Sequence, residues 1–249
     1  DKSYKRKEKA LEMANEFSKL ISTRSFDVGE VNKKVLENIG LQNKIKELED
    51  KEYLNFDFDE LNEIFNEKEY KKYHDYKNLG NLDFIKVLFE TFRNETTLDE
   101  CLSSIIRKLD SQKSLDENIE GKQWRFKLSD GELCIESNDV KQGVNEMGKK
   151  YSEIGVYSKN KLEWFAMHFT NNIADESTVY QSLHQIYLKT VISQYLDISE
   201  NNKRGHEKFY INVIGLYNQW NRKEKKYKKK ADKKLKQSRN SFPKINRLK

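Results

Sequence analysis

The sequence predicts a mainly α protein, a helical bundle with a small β-hairpin insertion, and three observations carry that expectation. One Pro and ten Gly in 249 residues leave few points at which a chain must turn, which favours long helices over a turn-rich sandwich or barrel. Apolar residues recur at helical spacing through most of the chain. One short stretch, 124–135, instead alternates with a period of two. The composition is polar, 36% hydrophobic and 35% charged, but 13 Tyr, 13 Phe and 3 Trp supply large apolar bodies for burial.

The first region, 1–110, reads as helical throughout. From Tyr4 to Ile21 the residues Ala10, Ala14, Phe17 and Ile21 fall on one stripe, widened by Met13 and Leu20. Ser25 or Asp27 can cap a second helix that carries Val31, Val35 and Ile39 and ends at Gly40, a suitable C-cap. Leu41, Ile45 and Leu48 keep a charged third helix in register as far as Tyr53. Asp57 or Asp59 can open the next, with Leu61, Ile64 and Phe65 inward and Tyr70, Tyr73 and Tyr76 following in a Lys-rich run. After Gly80 the apolar run Leu82 to Phe92 predicts a buried helix. Thr97-Leu98-Asp99-Glu100 has the form of a capping box before a helix over Leu102 to Leu109.

The second region, 111–157, is the insertion. A polar loop over 110–121 leads to Trp124, Phe126 and Leu128, then a turn at Asp130-Gly131, then Leu133 and Ile135. Asn138 to Val156 holds three glycines and little pattern. The third region, 158–221, predicts three helices with short connections. Leu162, Phe165, Phe169 and Ile173 line the first; Asp175 caps the second, with Val179, Leu183 and Ile186 beside Tyr180, Tyr187 and Val191; Phe209, Val213, Leu216 and Trp220 line the third. No repeat of fixed period appears.

The fourth region, 222–249, is set apart by charge. The chain as a whole carries +6, but Arg222 to Lys249 holds fourteen Lys or Arg against two acids, a net of +12, which leaves −6 for the rest (33 basic against 39 acidic residues). A segregation of this kind predicts a polyanionic partner for the tail, nucleic acid or an anionic membrane surface. The polyanion-binding residues expected on this ground are Arg222, Lys223, Lys225, Lys226, Lys228, Lys229, Lys230, Lys233, Lys234, Lys236 and Arg239. Lysines of this type release counterions from phosphates and are largely indifferent to base sequence.

Cys101 and Cys134 form no CxxC pair and lie near no His at metal-ligand spacing. A cytoplasmic setting is therefore expected, and no apolar run approaches the roughly eighteen residues of a membrane span. Since the chain starts at Asp1, a membrane tether upstream is the alternative location.

Three short stretches carry a family resemblance: Lys9-Ala10-Leu11-Glu12-Met13-Ala14, Asn55-Phe56-Asp57-Phe58-Asp59-Glu60-Leu61, and Leu162-Glu163-Trp164-Phe165-Ala166. In this pattern the chain resembles DUF4760-like bacterial proteins, a group known only as a domain of unknown function. The resemblance covers about half the chain and not the stretch from Gly80 to Gly155. It implies an all-helical cytoplasmic part, often behind an N-terminal membrane helix, and a mobile-element or phage-defence accessory context. It implies no catalytic residues.

The remaining chemistry is sparse. His168 and His184 can approach each other across one helix pair and, with Glu163, would make a metal or acid–base cluster. Glu120-Gly121-Lys122 with Asp110 or Asp116 echoes a nuclease metal set, but without the apolar strand that such a set needs. Asp57-Phe58-Asp59-Glu60 lacks the later Gly and Glu of a calcium loop and reads as an acidic helix start. No phosphate-binding, dinucleotide-binding or serine-nucleophile motif occurs. The leading expectation is thus a non-enzymatic binding or scaffold protein without catalytic residues, metal or cofactor. Its basic tail meets a polyanion, its acidic body meets a protein partner, and no small-molecule substrate is expected. The alternatives are a metal-dependent nuclease or other nucleic-acid enzyme using the neighbourhood of His168 and His184, and a helical protein tethered at a membrane surface.

Overall fold

A computed structural model describes residues 1–22, 25–79, 81–92, 124–128, 131–135, 138–202 and 208–241. Among these the chain is mainly helical: α1 (Lys2–Ser22), α2 (Ser25–Asn38), α3 (Asn43–Asp50), α4 (Phe58–Ile64), α5 (Glu67–Tyr76), α6 (Leu82–Phe92), α7 (Asn138–Thr170), α8 (Glu176–Ile192), α9 (Tyr195–Asn201) and α10 (Ile211–Ser241). Trp124–Leu128 (β1) and Gly131–Ile135 (β2) pair as antiparallel strands, Trp124 opposite Ile135. The turn at 129–130 and the stretch 93–123 lie outside the described residues. With them go the insertion as a unit, the helix expected over Leu102 to Leu109 and its capping box.

Local chemistry explains the helix ends. The Asp57 carboxylate accepts from the Glu60 amide at 2.9 Å and so caps α4. Glu60 reaches back to the Asn55 and Phe56 amides at 2.9 and 3.0 Å, so the acidic run is a helix start. The helix does not continue into the Tyr70 run. It stops at Phe65, and α5 begins afresh with a reciprocal capping box between Asn66 and Glu69. Gly40 ends the second helix with φ of 74°, where a side chain would be strained, while Leu41 N–H bonds back to the Leu36 carbonyl at 2.7 Å.

Two segment boundaries differ from the sequence expectation. Helix α7 runs unbroken for 33 residues and crosses the limit at 157, taking in the stretch that had no clear pattern. Its glycines blur the period, and Gly148 is a site of close approach, where a Cβ would strike the Leu79 side chain. Helix α10 crosses the limit at 221 in the same way, so the basic segment begins as a continuation of the Trp220 helix.

Helices α7 and α10 pack along each other, α1 lies on α7 and α8, and α2 meets α6 and α7. Phe17 stacks on Phe165 with centroids 4.6 Å apart. Fully buried Trp220 touches Phe165, Phe169, Tyr180 and Tyr187 at 5.1 to 6.4 Å. Such aromatic contacts carry much of the burial that an otherwise polar chain needs. Among the described residues no helix is long and apolar enough to cross a membrane.

Candidate polyanion interface

Helix α10 is fastened to the body before it becomes basic. Its start is held by Glu163, whose carboxylate accepts from the Asn212 amide at 3.1 Å, the Val213 amide at 3.0 Å and the Asn212 side chain at 2.7 Å. A carboxylate there satisfies open amides and suits the helix dipole. Further along, Asn218 binds the Leu54 backbone from both sides: its oxygen accepts from the Leu54 amide at 2.9 Å and its nitrogen donates to the Leu54 carbonyl at 2.8 Å. Asn221 donates to the Lys51 carbonyl at 2.9 Å. Asn218 and Leu54 are both buried. Replacing Asn218 by Ala therefore leaves an amide and a carbonyl orphaned, and a loss of about 2–3 kcal/mol is expected in a denaturant titration.

The first basic residues are spent on the same fastening. Lys225 donates to the Asp50 and Lys51 carbonyls at 2.7 and 2.6 Å, closing the C-terminus of α3, and its burial there lowers its pKa. Lys223 sits 3.9 Å above the Tyr180 ring and 3.1 Å from Glu176. Arg222 lies over Tyr53 at 6.0 Å and donates to the Asn218 carbonyl at 3.3 Å. Lys228 and Lys229 pair with Glu224 and Glu52 at 3.3 and 3.4 Å, both lysines being largely exposed.

Beyond this collar the helix stands clear of the body. Lys226, Lys230, Lys233, Lys234 and Lys236 are exposed, and no ion pair engages them among the described residues. Gln219 and Arg222 extend their line back over the docked half of α10, on the side that stays exposed. The Arg239 side chain lies outside the described residues. The other ten expected residues thus divide into a paired collar and an unpaired ridge. Total charge alone could not separate them, because the division depends on Glu176, Glu52 and the 50–51 backbone arriving beside α10.

The histidine cluster does not assemble. His168 Nδ1 faces the Trp164 carbonyl of its own helix at 2.8 Å. His184 stacks on Tyr180, with Nδ1 2.7 Å from the Tyr180 carbonyl and Nε2 3.1 Å from Glu224. With Glu163 committed to the start of α10, the three residues have separate structural partners. No group of three or more His, Cys, Asp or Glu among the described residues could hold a metal ion. Glu120-Gly121-Lys122 lies outside the described residues.

A second polar centre was missed by sequence reasoning. Lys77, just past the end of α5, donates to Asp197 at 3.1 Å, the Tyr73 hydroxyl at 3.0 Å and Asn32 Oδ1 at 3.3 Å. Asn32 in turn donates to Asp197 at 2.7 Å, and the Tyr151 hydroxyl donates to Asn32 at 3.1 Å. The hub joins α2, α5, α7 and α9. Asp197 also borders an open cavity of about 360 Å³ lined with Tyr151, Lys159, Asn201, Phe209 and Tyr210, while its two carboxylate oxygens accept from Asn32 and Lys77. The one signal in the sequence was Asn32 in the apolar stripe of Val28, Val35 and Ile39, a polar residue where the pattern asks for an apolar one.

Burial lowers the affinity of Lys77 for its proton, yet the Asp197 carboxylate and the hydroxyls of Tyr151 and Tyr73 outweigh it and hold the pKa well above the usual lysine value. Burial likewise raises Asp197, and Lys77, Lys159 and Asn32 outweigh that and lower it. The signs then set a window. The depressed carboxyl contributes stability that is lost as pH falls below about 4, and the raised ammonium one that is lost only above about 10. Burial raises Glu200, which opposes the acid loss. The hub contribution, read as the stability difference between the chain and Asp197→Asn, is therefore expected to stay flat from about pH 5 to 9 and to shrink below about pH 4.

No protein-family model, no curated protein and no solved structure matches the chain.

Proposed function

We propose that the chain is a non-enzymatic binding protein that engages a polyanion through the unpaired ridge of α10. One observation carries this reading: Lys226, Lys230, Lys233 and Lys234 are exposed on a helix whose base is bolted to the core, and no carboxylate neutralises them among the described residues. A solvated solubility tail needs no such anchorage. Here each of Asn218, Asn221 and Lys225 is bound to the body, which fixes where the ridge points. Fixing it lowers the entropic cost of presenting several cations together. The body would meet a protein partner, a role supported by the exposed aromatic side chains of Tyr157 and Trp164 on α7. In this reading the protein works in the cytoplasm, the strand pair is an accessory insertion on the helical body, and no metal-dependent hydrolysis takes part.

The test compares the chain with K226E/K230E/K233E/K234E for binding to duplex DNA, duplex RNA and anionic vesicles at about 50 mM salt. Loss of binding to whichever polyanion the parent holds is expected. A parent that binds none of the three, or a variant that binds as its parent does, overturns the proposal.

A further inference from the structure

The ridge and the apolar side of α10 do not point the same way. Successive residues turn by about 100°, so Lys226, Lys230 and Lys233 share one line. Tyr227, Ala231 and Leu235 follow a second line, centred roughly 140° away around the helix. Tyr227 and Leu235 are 53% and 57% exposed. A helix that lies on a bilayer turns its apolar stripe into the lipid with lysines at the flanks of that stripe. In α10 a membrane touching the ridge would find the apolar residues on the far side. Insertion of the apolar residues would aim the ridge at water.

The ridge is also broad. Lys236 lies on one flank of the Lys226–Lys233 line, and Lys230 and, further round, Lys234 on the other, a basic face spanning roughly 160°. A flat surface reaches the centre of such a face. A groove with charged walls reaches both flanks as well. The major groove of B-form DNA is about 12 Å wide and admits a helix whose own diameter is 10–12 Å, with phosphates along both rims. The major groove of duplex RNA is too narrow for that entry. All five ridge cations are lysines, point charges suited to phosphate rather than to the two-pronged reading of guanine that arginine provides.

Resting on the polyanion reading, we infer that the partner is duplex DNA, with α10 beyond Lys229 lying in the major groove and the ridge lysines on phosphates of both strands. Binding is then indifferent to base sequence and steep in salt. With five or so phosphates neutralised, the affinity falls with a log–log slope of roughly −4 to −5.

The experiment measures binding of the full chain to a labelled 20-base-pair DNA duplex, an RNA duplex of the same sequence, and vesicles with about a third anionic lipid, each over a salt series. Leu235→Gln is the second arm. The expected result is DNA binding with the stated slope, at least tenfold weaker binding to RNA duplex and vesicles, and DNA affinity within about twofold of the parent for L235Q. Vesicle binding equal to or tighter than DNA binding, or lost with L235Q, would put the ridge on a membrane and overturn the inference while leaving the polyanion reading intact. Equal affinity for both duplexes would overturn the groove assignment. Failure of all three partners would sink both readings together.

Discussion

Replacing Lys77 by Met is expected to cost about 3–5 kcal/mol of stability, because it strands a charge rather than merely removing a bond. Asp197, 14% exposed, would keep Asn32 as a partner but lose its counterion. Tyr73 and Asn32 would each lose a donor that now sits at 3.0 and 3.3 Å. For a chain of this length a loss of that size lowers Tm by roughly 6–20 °C. Asp197→Asn is expected to be similarly costly, since it leaves the ammonium with two hydroxyl or amide oxygens and no counterion. The double variant should cost less than the two single losses added, because each single variant creates an unpaired charge that the other removes. Losses that simply add, or a Lys77→Met variant within about 1 kcal/mol of its parent, would mean that the hub is a surface-like contact.

Trp220→Ala is the second large effect, at about 3–5 kcal/mol. The indole is fully buried and four aromatic rings surround it. Its N–H has no hydrogen-bond partner among the described residues, so its stabilisation is packing alone. The cavity would open at the junction of α7, α8 and α10, one turn before Glu224 and the collar. Chemical denaturation gives the loss directly. DNA affinity below the new midpoint should stay near that of the parent, because Asn218, Asn221 and Lys225 still hold the base of α10. A stability loss under about 1.5 kcal/mol would show that the core closes over the gap.

How far the sequence could be read depends on which interactions are local. Helix class and several ends are local matters. Asp57 and Asp175 act as caps in the structure because each needs only an amide two or three residues on. Asn66 does the same, yet the break before α5 went unread, since Tyr70 and Tyr73 continue an apolar rhythm across it and hid the cap behind the period. In α7 the reverse happened. Its glycines suggested an irregular stretch, although Gly148 is there to admit Leu79 from a distant segment.

The candidate site shows the same limit. That residues after Arg222 are basic is composition, but that Lys225 is a cap and Lys226 is not depends on the 50–54 segment arriving beside α10, some 170 residues away in sequence. The hub is more extreme, since Asn32, Tyr151 and Asp197 come from three helices and Lys77 from the end of a fourth, and no spacing links them. Asn32 alone offered a hint, as a polar residue inside an apolar stripe.

The division of the basic helix into collar and ridge is tested most directly by two triple variants of equal charge. One neutralises the ridge, K226Q/K230Q/K233Q, and the other the collar, K223Q/K228Q/K229Q. Both change the net charge by the same amount, so long-range attraction falls alike. The quantity to measure is duplex DNA affinity against salt. The ridge variant is expected to lose roughly a hundredfold near 0.1 M salt and to show a log–log slope shallower by about three, one for each phosphate contact removed. The collar variant is expected to stay within about fivefold of the parent, with a slope changed by no more than one. Equal losses in the two variants would contradict the division and leave net charge alone as the basis of binding.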